Sequence, residues 1–150
     1  MARALGWLDL PPVWLAGAAA LAWGQARLLP AGGGAWADWL GYGLIALGLM
    51  IAVAAVFEFL RHRTTVVPGR TPQALVQSGI YRLSRNPIYL GDALILAGLC
   101  LVWGAVSGVI LVPAFIALIQ RRFILGEEKR IRAEFGAAFD NYAVRVRRWG

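Results

Sequence analysis

Residues 36–60 read WADWLGYGLIALGLMIAVAAVFEFL, an apolar run with only two acidic residues, Asp38 and Glu58. A helix needs about 20 residues to cross a hydrocarbon core of roughly 30 Å. The run exceeds that length, and Trp36 and Trp39 at its start are suited to the membrane interface. The stretch therefore predicts a transmembrane helix.

The rest of the chain repeats this block pattern. Of the 150 residues 59% are apolar and 15% are charged, with a mean hydropathy of +0.62, whereas soluble domains are nearer half apolar and a quarter charged. We expect an all-α integral membrane bundle forming a single domain over 1–150. Its four transmembrane helices cover about residues 11–29, 36–60, 87–104 and 106–121. The last two are short and need flanking residues to cross the hydrocarbon core.

The connections between these blocks differ in character. The first segment is too long and too rich in Trp for a signal peptide, so we expect it to remain in the mature protein. The 61–86 connection is long enough to be functional, and a short interfacial helix is expected within it over Pro72–Leu83. Apolar residues at helical spacing predict a C-terminal amphipathic helix over 126–147, lying on the protein or membrane surface.

The positive charge predicts orientation. Of the 15 Lys and Arg residues, all but Arg3 and Arg27 lie at or after Arg61, in two zones that flank apolar blocks. This is the positive-inside pattern, and it places the loop, the tail and both termini on the cytoplasmic side of an inner membrane. It indicates contact with anionic headgroups and not with nucleic acid. No protein partner is expected.

Few residues can carry chemistry. The single His62 and the single Cys100 provide no metal-ligand set, and His62 is expected to cap the second segment. Asp92 lies about one turn inside a membrane segment. It is either functional, or it extends to the membrane interface or pairs with Arg85 or Arg82. Glu58 is expected to pair with Arg61 or Arg63, and the acidic pair at 127–128 suits the start of a helix.

Short motifs follow one another in the second half of the chain: Gln73–Val76, Ser78–Tyr81, Arg85–Gly91, Glu127–Glu128, Phe135–Gly136, Tyr142 and Arg145–Arg148. In this order they resemble the signature of the isoprenylcysteine carboxyl methyltransferase family. The sister group, the phospholipid N-methyltransferases, shares the Asn-Pro-x-Tyr-x-Gly and Glu-Glu elements. The resemblance covers roughly residues 60–148.

The resemblance implies an S-adenosylmethionine-dependent methyltransferase without the soluble nucleotide-binding fold. In this family the cofactor lies at the cytoplasmic ends of the last two spans, the preceding loop and the C-terminal helix. Arg121 or Arg122 would face the acceptor, and Asp92, Tyr89 or Glu58 would be candidate bases for an amine acceptor. By position, the residues implied to bind the cofactor are Gln73, Ala74, Leu75, Val76, Tyr81, Arg85, Asn86, Pro87, Ile88, Tyr89, Glu127 and Glu128.

The acceptor is expected to be hydrophobic or lipid-like, with a carboxylate or an amine as the nucleophile. Asn86 stands where the prenylcysteine enzymes usually have His. This difference makes a strict prenylcysteine substrate less favoured. Two alternatives remain open: a nicotinamide-dependent membrane reductase related to sterol reductases, and a non-catalytic lipid-binding scaffold. The short chain counts against the first, and the intact motifs count against the second.

Overall fold

The computed structural model describes residues 10–29, 31–64 and 72–150. These residues form helices and connecting turns, with no strand among them, which confirms the all-α prediction. A 3-10 turn covers Gly79–Arg82, and a π-helical turn covers Gln120–Ile124. The α-helices are α1 Pro11–Leu28, α2 Ala35–Arg61, α3 Pro87–Val102, α4 Gly108–Ile119, α5 Leu125–Phe135 and α6 Ala137–Arg145.

Within the described residues, two helices are long and apolar enough to cross a membrane. One is α2, and the other is the continuous helix Gly108–Phe135, in which the π-helical turn joins α4 to α5. Large apolar side chains on α2 are exposed, Trp39 at 80% and Met50 at 62%, as expected of a surface covered by hydrocarbon. The protein is therefore a helical membrane protein. Four spans, with α1 and the shorter apolar α3 as the other two, stay a prediction.

One compact unit contains residues 10–49 and 92–118 of the described chain. Here α2 and α3 cross at two glycines. A Cβ added to Gly98 would lie 2.5 Å from the carbonyl oxygen of Gly41, and one added to Gly41 would lie 2.8 Å from the carbonyl oxygen of Gly98. Small residues allow membrane helices to pack backbone to backbone, so this crossing requires glycine on both helices.

The turns of this unit are joined by hydrogen bonds. The backbone N–H of Ala31 donates to the carbonyl oxygen of Gly104 at 3.2 Å. The side-chain oxygen of Gln25 accepts from the backbone N–H of Ser107 at 3.0 Å. Backbone N–H and C=O groups that are not bonded within a helix need such partners. These bonds fix the turn after α1 against the turn after α3.

The second compact unit contains residues 50–91 and 119–150, again within the described ranges. It holds two apolar clusters, one built on Ala55, Val76 and Tyr81 and the other on Phe139, Tyr142 and Val146. The hydroxyl of Tyr142 donates to the carbonyl oxygen of Tyr81 at 2.7 Å and joins the two clusters. The C-terminal helices are thereby packed onto the segment that precedes α3.

The C-terminal region differs from the expected single helix over 126–147. Helix α5 continues directly from α4, and it ends at Gly136, whose φ of +51° and ψ of −125° break the helical hydrogen-bond ladder before α6 begins. Glycine adopts positive φ without the steric cost of a Cβ. The result is two short helices at an angle set by one residue.

The short helix expected over Pro72–Leu83 is wrong in extent. Only Gly79–Arg82 forms a turn of 3-10 helix. Upstream of it, the backbone N–H groups of Gln73 and Ala74 donate to the Thr64 hydroxyl at 2.8 and 3.4 Å instead of to a helical ladder. A side chain that bonds backbone amides competes with helix formation. The middle of this connection, residues 65–71, lies outside the described residues.

Candidate functional site

The start of α3 is built around a buried serine. Ser84 accepts a hydrogen bond from the backbone N–H of Asn86 at 3.1 Å, the local bond typical of a Ser turn. Pro87, which needs no donor in the first turn of a helix, follows fully buried. The side chains of Ser84 and Asn86 both donate to the carbonyl oxygen of Arg148, at 3.1 and 3.2 Å. In this structure Asn86 therefore bonds the C-terminal backbone.

Residues 147–149, here named the C-terminal strap, extend these contacts. The backbone N–H of Arg85 donates to the carbonyl oxygen of Arg147 at 3.0 Å. The indole N–H of Trp149 donates to the side-chain oxygen of Gln120 at 2.8 Å. The strap thus joins the loop before α3 to the π-helical turn after α4.

Two residues implied to bind the cofactor meet across 38 positions of sequence. The Tyr89 hydroxyl on α3 donates to Glu127 Oε1 on α5 at 2.9 Å. The Tyr89 ring is buried and lies 6.5 Å, centroid to centroid, from the ring of Phe123. A carboxylate that accepts from a buried phenol is held in one orientation, so Glu127 is positioned by α3.

Glu128, the next residue of α5, has a different partner. Arg148 of the strap donates to both of its carboxylate oxygens, Nε to Oε1 at 2.9 Å and Nη2 to Oε2 at 2.7 Å. Bidentate pairs of this kind are among the stronger polar contacts in proteins. Hydrogen bonding to Glu128 raises the pKa of Arg148 above its ordinary value. Arg85 Nη2 also lies 3.4 Å from Glu128 Oε1.

A charged cavity of about 480 Å³ lies between α5 and α6, within the roughly 300–1,000 Å³ of small-molecule pockets. It presents four cationic and two acidic side chains beside three apolar ones. The lining residues are Arg85, Leu125, Glu128, Lys129, Arg132, Asp140, Ala143, Val144 and Arg148. Two of the residues implied to bind the cofactor, Arg85 and Glu128, are among them.

Other residues implied to bind the cofactor lie in the apolar clusters instead. Tyr81 is 6% exposed and packs edge-on against Phe59 with ring centroids 5.4 Å apart. Val76 shares its cluster, Ile88 packs against it, and Leu75 packs against the cluster of Tyr142. Burial raises the pKa of Tyr81 far above its usual range. These side chains hold the unit together, while that of Gln73 is exposed.

A polar cluster at the end of α2 was missed from the sequence. Glu58, 6% exposed, accepts a short hydrogen bond from the Ser78 hydroxyl, and His62 Nε2 lies 2.8 Å from that hydroxyl and 3.6 Å from Glu58 Oε2. The expected pairing of Glu58 with Arg61 or Arg63 is therefore wrong, and His62 bonds a side chain. A buried carboxylate takes the partner that can be buried with it.

The remaining candidates are placed as follows. Arg121 and Arg122 are exposed on the π-helical turn, a distortion that is frequent at functional sites. Asp92 is half-buried on α3 and belongs to the other compact unit. Their catalytic roles stay predictions.

The apolar helices define the class of this chain as a helical membrane protein, and the charged cavity and the Tyr89–Glu127 pair are its candidate site. The family model described as phospholipid methyltransferase matches residues 36–138. The chain belongs to this family, which confirms the resemblance found in the sequence. It has no match among the curated proteins compared with it, and none among solved structures. The strap lies beyond the matched residues.

Proposed function

We propose that this protein transfers a methyl group from S-adenosylmethionine to a hydrophobic or lipid-like acceptor at the cytoplasmic face of the inner membrane. Membership of the phospholipid methyltransferase family supports methyl transfer. The observation that carries the proposal is the charged cavity between α5 and α6, lined by Arg85 and Glu128. Glu127, held by Tyr89, adjoins Glu128 in the chain.

The residues present suit this cofactor, which carries an ammonium, a carboxylate, ribose hydroxyls and a sulfonium. Carboxylates such as Glu127 and Glu128 accept hydrogen bonds from hydroxyl and ammonium groups. Guanidinium groups bind carboxylates with matched geometry. The cavity offers both kinds of group, and one of its cations, Arg85, has a buried Nε without a hydrogen bond to any described residue.

When bound, the cofactor supplies an electrophilic methyl group: its S–C bond breaks as the acceptor's lone pair forms the new bond, and S-adenosylhomocysteine remains. The protein's contribution is positioning, which removes much of the entropic barrier of a two-substrate reaction. The Tyr89–Glu127 hydrogen bond and the Arg148–Glu128 pair hold both carboxylates in fixed directions. No covalent enzyme intermediate is required.

The nature of the acceptor decides what else the protein must do. A carboxylate acceptor needs only a cation to orient it, and Arg121 and Arg122 are exposed on the π-helical turn. An amine acceptor must also lose a proton to a base. The Tyr89 hydroxyl already donates to Glu127, and Glu58 already accepts from the Ser78 hydroxyl, so Asp92 is the remaining candidate base. We infer a hydrophobic or lipid-like acceptor, because the large exposed apolar side chains of α2 suit a surface covered by hydrocarbon, from which such a molecule can reach the protein.

Calorimetry on the purified protein in detergent tests the proposal. S-adenosylhomocysteine should bind to the wild type, and binding should weaken in Glu127→Gln and in Tyr89→Phe. Glu134→Gln, on the exposed side of the same helix, is the matched control and should bind as the wild type does. Binding of a nicotinamide dinucleotide in place of S-adenosylhomocysteine would support the reductase, and binding of neither would support the scaffold.

The acceptor class needs a separate measurement. Membranes containing the protein are incubated with S-adenosylmethionine labelled in the methyl group, and lipids are then extracted. Label in a lipid fraction, absent from membranes with the Glu127→Gln variant, supports the lipid-like acceptor. Label confined to small polar compounds would contradict it while leaving methyl transfer intact.

A further inference from the structure

An apolar cavity of about 370 Å³ lies in the compact unit of residues 10–49 and 92–118. The first turn of α2, the end of α3, the start of α4 and the turns after α1 and α3 line it. Its lining consists of glycine, alanine, valine and leucine residues together with Trp36 and Cys100, and none of these described residues is charged. It shares no residue with the charged cavity, so it is a separate candidate site.

The walls of the apolar cavity are held by the backbone. Gly104 has a φ of +64°, and a Cβ added to it would lie 2.6 Å from the carbonyl oxygen of Ala31. A Cβ added to Gly108 would lie 2.6 Å from Cys100 Cβ. Closely packed walls are not easily compressed, and the turn after α1 is also hydrogen-bonded to Gly104. The cavity therefore does not close by a simple change of side-chain rotamers.

The apolar cavity is continuous with the exposed apolar surface. Two of the side chains that line it, Trp36 and Val109, are 65% and 79% exposed. They belong to α2 and to the helix Gly108–Phe135, the two described helices that are long and apolar enough to cross a membrane. Exposed apolar surface on such helices is covered by hydrocarbon. A lipid chain can therefore enter the cavity from the side.

The length of α2 gives the depth of the cavity in the bilayer. Its 27 residues extend about 40 Å, close to the thickness of a bilayer with its headgroups. The end at Arg61 continues into the basic connection, which is predicted to be cytoplasmic. Trp36, in the first turn, then lies at the opposite interface, where Trp is favoured. At this depth the cavity meets the part of an acyl chain nearest the glycerol of an outer-leaflet phospholipid.

We propose that the apolar cavity binds one acyl chain of a phospholipid from the leaflet that faces away from the cytoplasm. Apolar cavities exclude water, and this lining offers a headgroup no charged partner among the described residues. Close packing supplies the affinity, because apolar burial alone gives little gain inside a bilayer. The bound lipid is distinct from the methyl acceptor, which is proposed to react at the cytoplasmic face.

Native mass spectrometry of the delipidated protein in detergent, titrated with dioleoylphosphatidylcholine, tests the proposal. The amine of this lipid is already fully methylated, so it is not a methyl acceptor. The wild type should bind one lipid per chain. Ala97→Leu and Val112→Phe place larger side chains in the cavity from α3 and α4. Both should bind the lipid about ten- to a hundredfold more weakly, because overfilling a packed space is unfavourable.

Ala46→Leu is the matched control, because Ala46 is exposed on α2 and does not line the cavity. Thermal unfolding followed by circular dichroism gives a second readout. Added lipid should raise the midpoint of the wild type and of Ala46→Leu, as a ligand of the folded state does. It should leave the midpoints of the two filled variants unchanged, and cooperative unfolding of these variants shows that they are folded. Wild-type lipid binding in both filled variants would overturn the proposal.

Three further outcomes identify a different occupant or a different site, and each would contradict the proposal. Equal binding of dihexanoylphosphatidylcholine, which has the same headgroup and short chains, would show recognition of the headgroup. A dimer of the wild type that Ala97→Leu abolishes would show that a second copy of the chain covers the cavity. Lipid binding lost in Glu127→Gln but kept in Ala97→Leu would place the lipid at the proposed methyltransferase site. Wild-type lipid binding in Glu127→Gln is the expected result, and it holds whether or not methyl transfer is confirmed.

Discussion

Replacing Arg148 with Gln should destabilise the second compact unit through Glu128. The substitution removes two charge-assisted hydrogen bonds, at 2.9 and 2.7 Å, from a carboxylate that is 13% exposed. Loss of hydrogen bonds to a charged group costs about 1.5–3 kcal/mol. Arg85, 3.4 Å from Glu128, remains as a partial partner, so we expect the lower half of that range.

Unfolding of the variants in mixed micelles, followed by circular dichroism, measures this loss. Arg147→Gln is the matched control, because Arg147 is its neighbour and its side chain is exposed. The double variant Arg148→Gln with Glu128→Gln should recover part of the loss, as expected when two residues interact directly. If Arg148→Gln costs no more than Arg147→Gln, the strap does not hold Glu128 and the reasoning is refuted.

Three other substitutions test the packing. Gly98→Val should lower the midpoint of thermal unfolding sharply, because its Cβ would lie 2.5 Å from a carbonyl oxygen of α2; the neighbouring Leu99→Val serves as comparison. Gly79→Ala should lower the free energy of unfolding, measured by denaturant titration, by more than about 1–2 kcal/mol, the usual penalty for a left-handed residue. The loss should exceed that penalty because φ is +54° and the added Cβ would also lie 2.7 Å from Glu58 Cδ. Tyr142→Phe should cost about 1 kcal/mol by loss of its bond to the Tyr81 carbonyl. Burial raises the pKa of Tyr142 from 10.0 to about 12, so the stability it adds should be complete below pH 10.0 and disappear as the pH rises through about 12, a loss that the Phe variant should lack in unfolding measured against pH.

The apolar framework could be predicted because hydropathy acts over long continuous stretches. The sequence indicated an apolar segment over 36–60, and the structure has α2 at Ala35–Arg61. Proline marked the starts of α1 and α3, where its missing N–H costs nothing. Helix breaks were harder to predict. Gly136 ends α5 through a positive φ that the motif Phe135–Gly136 did not reveal on its own.

The partners of the charged residues could not be predicted for a different reason. The tail from Arg121 carries eight basic residues, and nothing in their spacing shows that Arg148 is the one that pairs with Glu128. That contact depends on the turn at Gly136, which brings residues 20 positions apart together. Glu58 shows the same limit, because its partner Ser78 also lies 20 positions away, across the loop.

The pair of Tyr89 and Glu127 was predictable only through the resemblance. The sequence alone explained Glu127 and Glu128 by the dipole at the start of a helix. It gave no reason for the side chain of Tyr89 on α3 to contact Glu127. The family's motifs implied that both residues serve one ligand, and the structure brings their side chains within 2.9 Å. The resemblance did not reveal that Tyr81 and Val76 form the core of the unit.

Ultraviolet cross-linking of labelled S-adenosylmethionine, followed by peptide mapping, tests the central claim most directly, because it locates the methyl donor on the chain. Excess S-adenosylhomocysteine should abolish the cross-link if it is specific. We expect the label in peptides covering 85–89 and 125–148, which carry the cavity and the Tyr89–Glu127 pair. Specific label confined to residues 10–49 or 92–118 would contradict the account.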